Sequence, residues 1–472
     1  MSDNASAALA RAVYHANTWL DGLDTRSVAA TATFDALRRK LGGAVPVEPT
    51  AADRVIDDLV AACEGGHLGS TGGRFFAWVV GGSLASALAA DWLTAVWDQN
   101  AAVAVCGPAA SVAEEVAGAW LKDLLELPAE ASFAFTTGCQ LAHFTCLAAA
   151  RLAILRRCGW DVNADGLGGA PPIRVITSEH RHGSIDRAVR FLGLGTKNLV
   201  PIRTDAAGRV LPDSFAQALD GPERPTIVVL DAADLNVAAF DSFTTLIPMA
   251  RAAGAWVHVD GAFGLFARAS RERRYLVAGV EGADSWATDG HKWLNVPFDC
   301  GFAVVRDREA HREAMALDTP YVAGAPNARN QLDWNPEWSR RARGFAVYAA
   351  IRELGRAGLE ALVDRSCAHC LALVSGIGAI AGAEIVQLPR LNQGLVRFPD
   401  PDPQATDAAH DRRTDAVIAA VNATGEAFFS GTTWNGRRTM RVSIVNWRTG
   451  PADVERAVAA VADVLAAMDR SS

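Results

Sequence analysis

The sequence lacks a long run of basic residues. Its 472 residues include 45 Lys and Arg against 53 Asp and Glu, which gives a net charge of −8. Because phosphate backbones are bound by clustered Lys and Arg, this balance argues against a nucleic-acid-binding protein. Hydrophobic residues make up 50% of the chain and charged residues 21%. These fractions exclude a disordered or fibrous chain and fit a globular protein of about two or three domains.

The chain is also poor in the features of exported proteins. Its N-terminal residues lack a charged segment followed by an apolar one, so we expect no secretory signal. The 8 cysteines are scattered along the chain, which is typical of reduced thiols in the cytoplasm. Cys367 and Cys370 form a CxxC pair, but no second pair follows at zinc spacing. We predict buried structural thiols, with a metal or redox role as the alternative.

No unbroken apolar run of membrane-spanning length is present. Residues 75–97 come closest, but this stretch contains Gly81, Gly82 and Asp91. An aspartate in the middle of a bilayer is costly. We therefore predict that this stretch is a buried helix of a soluble protein and expect no membrane association.

From about residue 130 onward, short β-branched runs alternate with helical patterns, after a helical pattern over residues 111–127. Strands are predicted at residues 173–178, 226–231, 256–260, 285–288 and 301–306. Helices are predicted between them at residues 138–158, 184–192 and 243–253. This alternation predicts an α/β fold with a mostly parallel sheet, whose ligand site lies at the carboxyl ends of the strands.

The pattern changes after the Pro- and Asn-containing region 320–336. Helices are predicted beyond it at residues 343–355, 359–377, 414–422 and 451–468, strands at 395–398 and 441–445, and a polar loop at 401–410. We expect three parts, which are a helical N-terminal segment (1–82), a large domain (83–342) and a small C-terminal α+β domain (343–472).

Lys292 follows a short predicted strand in an apolar setting that includes Trp286, Trp293 and Leu294. Lysine is usually solvated at the surface. Burial would lower its pKa and make the amine a nucleophile that can form a Schiff base. For a lone lysine, a surface loop position is the alternative.

Two other strand ends carry ionisable side chains. Asp260 ends the strand 256–260 just before Gly261 and Ala262, and its charge could keep a pyridine nitrogen protonated. By itself it could instead cap the next turn. His182 follows the strand 173–178 and could stack on a flat ring. A surface loop is the alternative for His182, and the spacing does not supply a zinc ligand set.

A glycine turn precedes the long predicted helix 138–158. Gly138 is followed there by Cys139 and Gln140. Such a turn offers free N–H groups and the positive end of the helix dipole, which suits a phosphate. The turn matches neither GxGxxG nor GxxxxGK[ST], so the motif is weak by itself.

Taken together, these segments resemble the group II pyridoxal-phosphate-dependent amino-acid decarboxylases, which are relatives of aromatic-amino-acid and glutamate decarboxylases within fold type I. The resemblance extends from about residue 75 to residue 447 and depends on the motif His291-Lys292-Trp293, with Asp260 and His182 in the family's order. It implies a mostly parallel seven-stranded sheet in the large domain. It also implies pyridoxal 5'-phosphate as the cofactor and a small amino-acid substrate.

The resemblance implies a role for each candidate residue. Lys292 would form the internal aldimine, Asp260 would pair with the ring nitrogen, and His182 would stack on the ring; these are the catalytic candidates. Ala262 would pack on the other ring face, and Asn236 falls where the family has a threonine near the ring. The remaining cofactor contacts, to the phosphate, would come from Gly138, Cys139, Gln140 and His291. No metal ion is expected.

The implied reaction is decarboxylation of an L-amino acid through an external aldimine and a quinonoid intermediate. In many family members a loop tyrosine protonates the carbanion, but the corresponding residues 322–338 contain no tyrosine. Gln331 aligns with that position and Tyr321 lies beside the loop. Three alternatives therefore stay open, namely an aminotransferase or carbon–carbon lyase of the same fold type, an aldehyde-forming or oxidative relative, and a catalytically silent protein.

Aromatic residues and the N-terminal segment bear on substrate and partner. The candidates for lining a substrate pocket are Phe76, Trp78, Trp97, Trp334 and Trp434. Such a pocket would favour an aromatic or apolar amino acid. The resemblance also implies a homodimer with the active site at the subunit interface, in which the N-terminal segment contacts the partner.

Overall fold

The N-terminal region is helical and lies outside the central sheet. We describe residues 5–220, 224–317 and 328–471 in a computed structural model of the protein. The first four helices are α1 (Ala5–Asp21), α2 (Phe34–Leu41), α3 (Ala52–Cys63) and α4 (Ala85–Trp97). None of the helices in the described residues combines the length and the apolar character that a bilayer crossing requires.

The prediction of one buried helix over residues 75–97 is wrong. Only α4 is helical there, because the residues before it run as an extended segment that hydrogen-bonds to Asn295: the Gly82 N–H donates to Asn295 Oδ1 at 2.9 Å and the Leu84 N–H to the Asn295 carbonyl at 2.8 Å. Ala87 and Thr94 are the buried residues of α4. Its apolar side chains Val96 and Trp97 are instead 59% and 47% exposed. The helix therefore presents an apolar face that the described part of the chain does not cover.

The central sheet has seven strands in the order β1-β7-β6-β5-β4-β2-β3. Their bounds are β1 (Ser132–Thr136), β2 (Arg174–Ser178), β3 (Leu199–Ile202), β4 (Thr226–Asp231), β5 (Trp256–Asp260), β6 (Ser285–Asp289) and β7 (Gly301–Val305). The five strands from β6 to β3 run parallel, and β7 is antiparallel to both of its neighbours. The predicted mostly parallel seven-stranded sheet is confirmed.

Helices cover both faces of this sheet, as parallel strands require. They are α5 (Pro108–Leu124), α6 (Cys139–Arg157), α7 (Val162–Asp165), α8 (Gly183–Phe191), α9 (Pro212–Leu219), α10 (Phe243–Ala252) and α11 (Arg308–Met315). Two apolar clusters pack against the sheet, one containing Trp286 and Trp293 and the other α6 and Trp256. Every residue of β1, β4, β5, β6 and β7 is buried. Short 3₁₀ helices occur at Thr196–Asn198, Gly264–Ala269, Arg274–Val277, Val280–Gly282 and Gln331–Trp334.

The C-terminal region has its own antiparallel sheet in the order β10-β11-β9-β8. Its elements are α12 (Gly344–Gly378), β8 (Glu384–Gln387), β9 (Gln393–Arg397), α13 (Asp407–Thr424), β10 (Ser430–Trp434), β11 (Arg437–Ser443) and α14 (Pro451–Ser471). This agrees with the predicted α+β character. The polar loop predicted over 401–410 ends early, because the Thr406 side chain accepts a hydrogen bond from the Ala409 N–H and caps α13. The domain limits at 82 and 342 stay a prediction.

Candidate active site

The carboxyl ends of β5 and β6 and the turns after β1 and β2 surround a cavity of about 420 Å³. This is the position expected for a ligand site in a mostly parallel sheet. All but one of the residues predicted for the site line this cavity, namely Gly138, Cys139, Gln140, His182, Asp260, Ala262, His291 and Lys292. The structure therefore brings together residues from four separate parts of the sequence.

Lys292 extends into the cavity from the turn after β6. Its Nζ lies 2.9 Å from Oδ2 of Asp289, a buried residue at the end of β6. Burial lowers the pKa of Lys292, but the Asp289 carboxylate outweighs this effect and the pKa is raised. The expectation that burial makes this lysine a neutral amine is therefore wrong for the cofactor-free protein. Asp289 was missed in the sequence, although it lies three residues before Lys292.

The turn at Gly138 meets the same carboxylate. Gly138 has φ 99° and ψ 170°, a conformation that is essentially restricted to glycine. Helix α6 begins at the next residue, and the Cys139 N–H donates to Asp289 Oδ1 at 2.6 Å. The first residue of β7, Gly301, touches this turn so closely that an added Cβ would lie 2.3 Å from the Gly138 carbonyl carbon. The helix N-terminus is thus held beside Lys292.

Asp260 is held as a carboxylate at the end of β5. Its Oδ1 accepts a hydrogen bond from the Ala262 N–H at 3.1 Å, and its Oδ2 lies 3.4 Å from Nε2 of His143 on α6. Burial by itself raises the pKa of Asp260. His143, His182 and the Ala262 N–H together lower the pKa by more than burial raises it, so the pKa lies well below its usual range. A buried anion at this position can pair with a protonated ring nitrogen.

His182 caps α8 at the side of the cavity. Its Nδ1 accepts a hydrogen bond from the Ser184 N–H at 3.2 Å and lies 2.7 Å from the Ser184 hydroxyl. Burial lowers the pKa of His182, so the ring is neutral near pH 7. Because Nδ1 is an acceptor, the single ring hydrogen is on Nε2. Gln140 Nε2 donates to the Ser184 carbonyl at 3.2 Å and links this helix to α6.

His291 lies next to Lys292 and is also neutral. Its Nδ1 accepts from the Cys300 N–H at 3.2 Å, and burial lowers its pKa. Its ring packs on Phe298, with 4.3 Å between the ring centroids. Phe298 is 64% exposed at the edge of the cavity. The sequence analysis missed it, because only the folded turn between β6 and β7 brings it over His291.

Asn236 is the predicted site residue that does not line the cavity. Its Oδ1 accepts a hydrogen bond from the Thr432 hydroxyl of β10 at 2.7 Å. Its position is fixed by Asp234, whose Oδ1 accepts from the Asn236 N–H at 2.7 Å and whose Oδ2 accepts from the Ala239 N–H at 2.6 Å. Leu235 from the same loop lines the cavity instead.

The predicted aromatic pocket is also wrong for the described residues. None of the five candidate aromatic residues lines the cavity. Four of them pack on other rings of the chain, namely Phe76 on Phe429, Trp97 on Phe345, Trp334 on His311 and Trp434 on His180. The fifth, Trp78, is 48% exposed beside Phe75. Their packing partners within the chain account for this. The aromatic rings that line the cavity, besides the two histidines, are Phe263 and Phe298.

The loop over residues 322–338, in which the sequence shows no tyrosine, is described only from residue 328 onward. Tyr321 lies outside the described residues. Gln331 is buried at the start of a 3₁₀ helix, and its Oε1 accepts a hydrogen bond from Arg329. It does not line the cavity, so its side chain supports the fold in the described chain. The pair Cys367 and Cys370 lies buried in α12 as free thiols, as predicted.

The residues present fit pyridoxal phosphate. A helix N-terminus after a glycine suits the phosphate, and an amine on a flexible stem suits the aldehyde carbon. A buried carboxylate whose pKa is well below its usual range suits the pyridine nitrogen. Asp260 is also close enough to Lys292 to raise the pKa of the amine, so the two groups face one cavity.

Comparisons with known proteins agree with this chemistry. The pyridoxal-dependent decarboxylase conserved domain matches residues 35–399. The L-2,4-diaminobutyrate decarboxylase of Rhizobium meliloti (strain 1021) is 30% identical over 379 residues, which cover 78% of this chain and 71% of that protein. The aromatic-L-amino-acid decarboxylase of Bacillus atrophaeus is 24% identical over 439 residues, which cover 91% of this chain and 89% of that protein.

The fold has a close counterpart among solved structures. The crystal structure of Oryza sativa TDC with PLP and tryptamine superposes with a TM-score of 0.92 at 23% sequence identity, covering 99% of each chain. At this identity the likeness shows the fold alone, and the match of the conserved domain over most of the chain shows the family. The chain therefore belongs to the family of pyridoxal-dependent decarboxylases, as an amino-acid carboxy-lyase that uses pyridoxal phosphate.

Proposed function

We propose that Lys292 attaches the cofactor covalently, that Asp260 pairs with its ring nitrogen and that His182 lies against its ring. The turn at residues 138–140 and His291 would hold the phosphate. The observation that carries this proposal is that Lys292, Asp260 and the N-terminus of α6 line one cavity. His182 and His291 are both neutral near pH 7, because burial lowers the pKa of each.

Bound pyridoxal phosphate supplies an electron sink for the bond that breaks at the substrate Cα. The protein's own groups then set charge and orientation. Asp260 holds a negative charge that keeps a proton on the ring nitrogen. Asp289 holds the Lys292 amine at 2.9 Å and stabilises its protonated form. His182 carries its hydrogen on Nε2, because Nδ1 is occupied by the Ser184 N–H.

We propose an L-amino acid with an apolar or aromatic side chain as the substrate. Leu235, Phe263 and Phe298 line the cavity and offer apolar surface to such a side chain. A diamino acid is the second candidate, because Asp299 also lines the cavity and a carboxylate can pair with a second amine. The relative with 30% identity is named for L-2,4-diaminobutyrate.

We further propose that the chain forms a homodimer and acts in the cytoplasm. The exposed apolar side chains of α4 are Trp92, Leu93, Val96 and Trp97. An apolar patch of this kind is typical of a protein–protein interface. All eight cysteines are free, which suits a reducing compartment. The N-terminal segment also has an open cleft of about 950 Å³, lined by residues that include Trp19 of α1 and Ile56 of α3, which offers a second apolar surface for contact with a partner subunit.

The proposed function is tested with purified protein and added pyridoxal phosphate. Common L-amino acids are screened with CO2, amine, ammonia and peroxide all measured. Lys292→Ala is expected to abolish turnover and borohydride-stable attachment of the cofactor, while the variant still folds by circular dichroism. Lys197→Ala, at an exposed lysine, is the control and should behave like the wild type.

Full turnover or stable cofactor attachment in the Lys292→Ala variant would overturn the assignment of Lys292. Consumption of O2 with release of ammonia, peroxide and an aldehyde in place of the amine, alongside CO2, would instead favour an aldehyde-forming oxidative relative. A best substrate with an acidic side chain would contradict the proposed substrate class and would point to Arg187, which also lines the cavity, as the partner of the second carboxylate.

A further inference from the structure

A buried chain of polar side chains lies behind Asp260, on the side away from the cavity. His143 on α6 has Nε2 3.4 Å from Asp260 Oδ2, and its Nδ1 lies 2.9 Å from Nε2 of His258. The His258 Nδ1 lies 3.0 Å from the Ser285 hydroxyl, which also accepts from the Trp256 indole N–H at 2.9 Å. Both histidine rings are fully buried.

The β-strand geometry explains why these groups meet. Trp256, His258 and Asp260 alternate along β5, and alternate residues of a strand point to the same face of a sheet. Ser285 is the residue of β6 in register with His258. Helix α6 packs on this face and places His143 between His258 and Asp260, with the two imidazole rings at 88° to each other. Neither histidine lines the cavity.

The hydrogen-bonding chemistry of a carboxylate determines which nitrogen of His143 carries a hydrogen toward Asp260. A carboxylate accepts and does not donate, so His143 Nε2 carries the hydrogen of this contact. Burial lowers the pKa of His258 to about 3, so its ring is neutral and carries one hydrogen. When this hydrogen is on Nε2, His258 donates to His143 Nδ1, and the single hydrogen of a neutral His143 lies on Nε2, directed at Asp260. When His258 instead accepts from His143 Nδ1, His143 faces Asp260 with a second hydrogen on Nε2 as an imidazolium.

From this geometry we propose that His143, held by His258, is a positioning residue that keeps Asp260 ionised and aimed at the cofactor ring nitrogen. This inference rests on the proposed role of Asp260. The Ala262 N–H fixes the other oxygen, Oδ1, at 3.1 Å. With both oxygens held, the carboxylate has one orientation and need not reorganise when the cofactor enters. Cys139 Sγ also lies 3.4 Å from His143 Nε2, and its buried thiol stays protonated because burial raises its pKa.

The test compares two probes that differ at one atom. Pyridoxal phosphate has the ring nitrogen, and 1-deazapyridoxal phosphate has carbon in its place. In His143→Leu, we expect about tenfold weaker binding of pyridoxal phosphate to the cofactor-free protein, because a buried acceptor loses its donor. Binding of the deaza analogue should not change. His143→Gln, whose amide can still donate to Asp260, should recover most of the affinity.

The Asp260→Asn variant separates this inference from the proposed function. Asp260→Asn should itself weaken binding of pyridoxal phosphate, and adding His143→Leu to it should cause no further loss. If Asp260→Asn leaves the affinity unchanged, the proposed role of Asp260 fails. Two other outcomes would contradict only the role of His143. In the first, Asp260→Asn weakens binding of pyridoxal phosphate but His143→Leu does not. In the second, His143→Leu weakens binding of pyridoxal phosphate and of the deaza analogue equally.

Folding of the cofactor-free variants is monitored by circular dichroism and thermal unfolding. If His143→Leu does not fold, His258→Leu is compared with the same two probes. This variant removes the side chain that holds His143 Nδ1. We expect it to weaken binding of pyridoxal phosphate in the same direction and to spare the deaza analogue. An equal loss for both probes in that variant would again overturn the inference.

Discussion

Asp289 determines the charge state of Lys292 before the cofactor arrives. Burial by itself lowers the pKa of Lys292, but Asp289 at 2.9 Å raises it, with a smaller contribution from the Asp260 carboxylate. A protonated amine is not a nucleophile. The covalent attachment that we propose at Lys292 would therefore require that the proton leave an amine that this carboxylate stabilises in its charged form.

Replacing Asp289 by Asn removes the charge and keeps the shape of the side chain. Because burial is then opposed only by the weaker effect of the Asp260 carboxylate, the pKa of Lys292 falls. The neutral amine persists to lower pH, so cofactor attachment extends to lower pH in Asp289→Asn than in the wild type. The measurement is the rate at which visible absorbance appears after mixing with pyridoxal phosphate, from about pH 6 to about pH 10.

Asp299→Asn is the matched control for this experiment. Asp299 lines the same cavity but pairs with Arg343 at 2.8 Å. Its substitution should leave the pH dependence of attachment where it is in the wild type. Coinciding curves for Asp289→Asn and the wild type, or a shift to higher pH, would contradict the role of Asp289.

Individual site residues differ in how well the sequence predicts them. Lys292, Asp260 and His182 follow recognisable strands, and strand ends converge in a mostly parallel sheet. His143 could not be found this way, because its contact with His258 spans 115 residues and depends on how α6 crosses the sheet. Asn236 was misplaced because a loop held by its own side chains sets its direction independently of strand order.

At the scale of elements, α12 is broken once along its length. Gly355 has φ 59° and ψ −176° inside the helix, which agrees with two predicted helices separated after residue 355. Apart from the adjoining backbone, no heavy atom lies within 4 Å of the position that a Cβ would take at Gly355. The break therefore depends on backbone conformation and not on lack of space for a side chain.

Gly355→Ala should destabilise the protein by about 1–3 kcal/mol, because alanine rarely adopts this conformation. Gly358→Ala is the matched control, since its φ is ordinary and an added Cβ would only touch Leu354 at 3.4 Å. This second change should be neutral or stabilise by up to about 1 kcal/mol, because alanine favours helix over glycine. Urea unfolding of both variants measures the difference, and equal stability losses would contradict the proposed cause.

Elements were predicted best where burial is complete. Strands β4, β5, β6 and β7 are apolar runs that are buried throughout, and their predicted bounds lie within one residue of those observed. Strand β3 was missed because it is short, lies at the edge of the sheet and has one buried residue. Strands β8 and β10 were missed for similar reasons, since most of their residues are only partly buried.

At the scale of the whole molecule, the uncovered face of α4 is the main support for a homodimer. A prediction follows for Val96, which is 59% exposed on this face. Val96→Lys would place an unpaired charge in the interface, which costs several kcal/mol when it is buried. We expect light scattering after size exclusion to show a dimer for the wild type at micromolar concentration. The variant should shift toward the 49.8 kDa monomer.

Leu371→Lys tests the specificity of this effect. Leu371 is 48% exposed on α12. It lies more than four helical turns beyond Ala349 and Glu353, which hydrogen-bond to Ser86 of α4, and its substitution should leave the dimer intact. A monomeric wild type would refute the proposed homodimer. A dimer that tolerates Val96→Lys as well as Leu371→Lys would show that subunits associate through another surface.

The place of β7 in the sheet sets an order of events during synthesis. It lies between β1 and β6 and is made after both. Until residues 301–305 leave the ribosome, β1 has no neighbour in the sheet, and the Gly138 turn lacks its close contact with Gly301. A nascent chain that stops before β7 lacks the strand that joins β1 to the rest of the sheet and that packs on the Gly138 turn. We therefore expect binding of pyridoxal phosphate to be a late step in the maturation of this enzyme, after β7 has paired with β1 and β6.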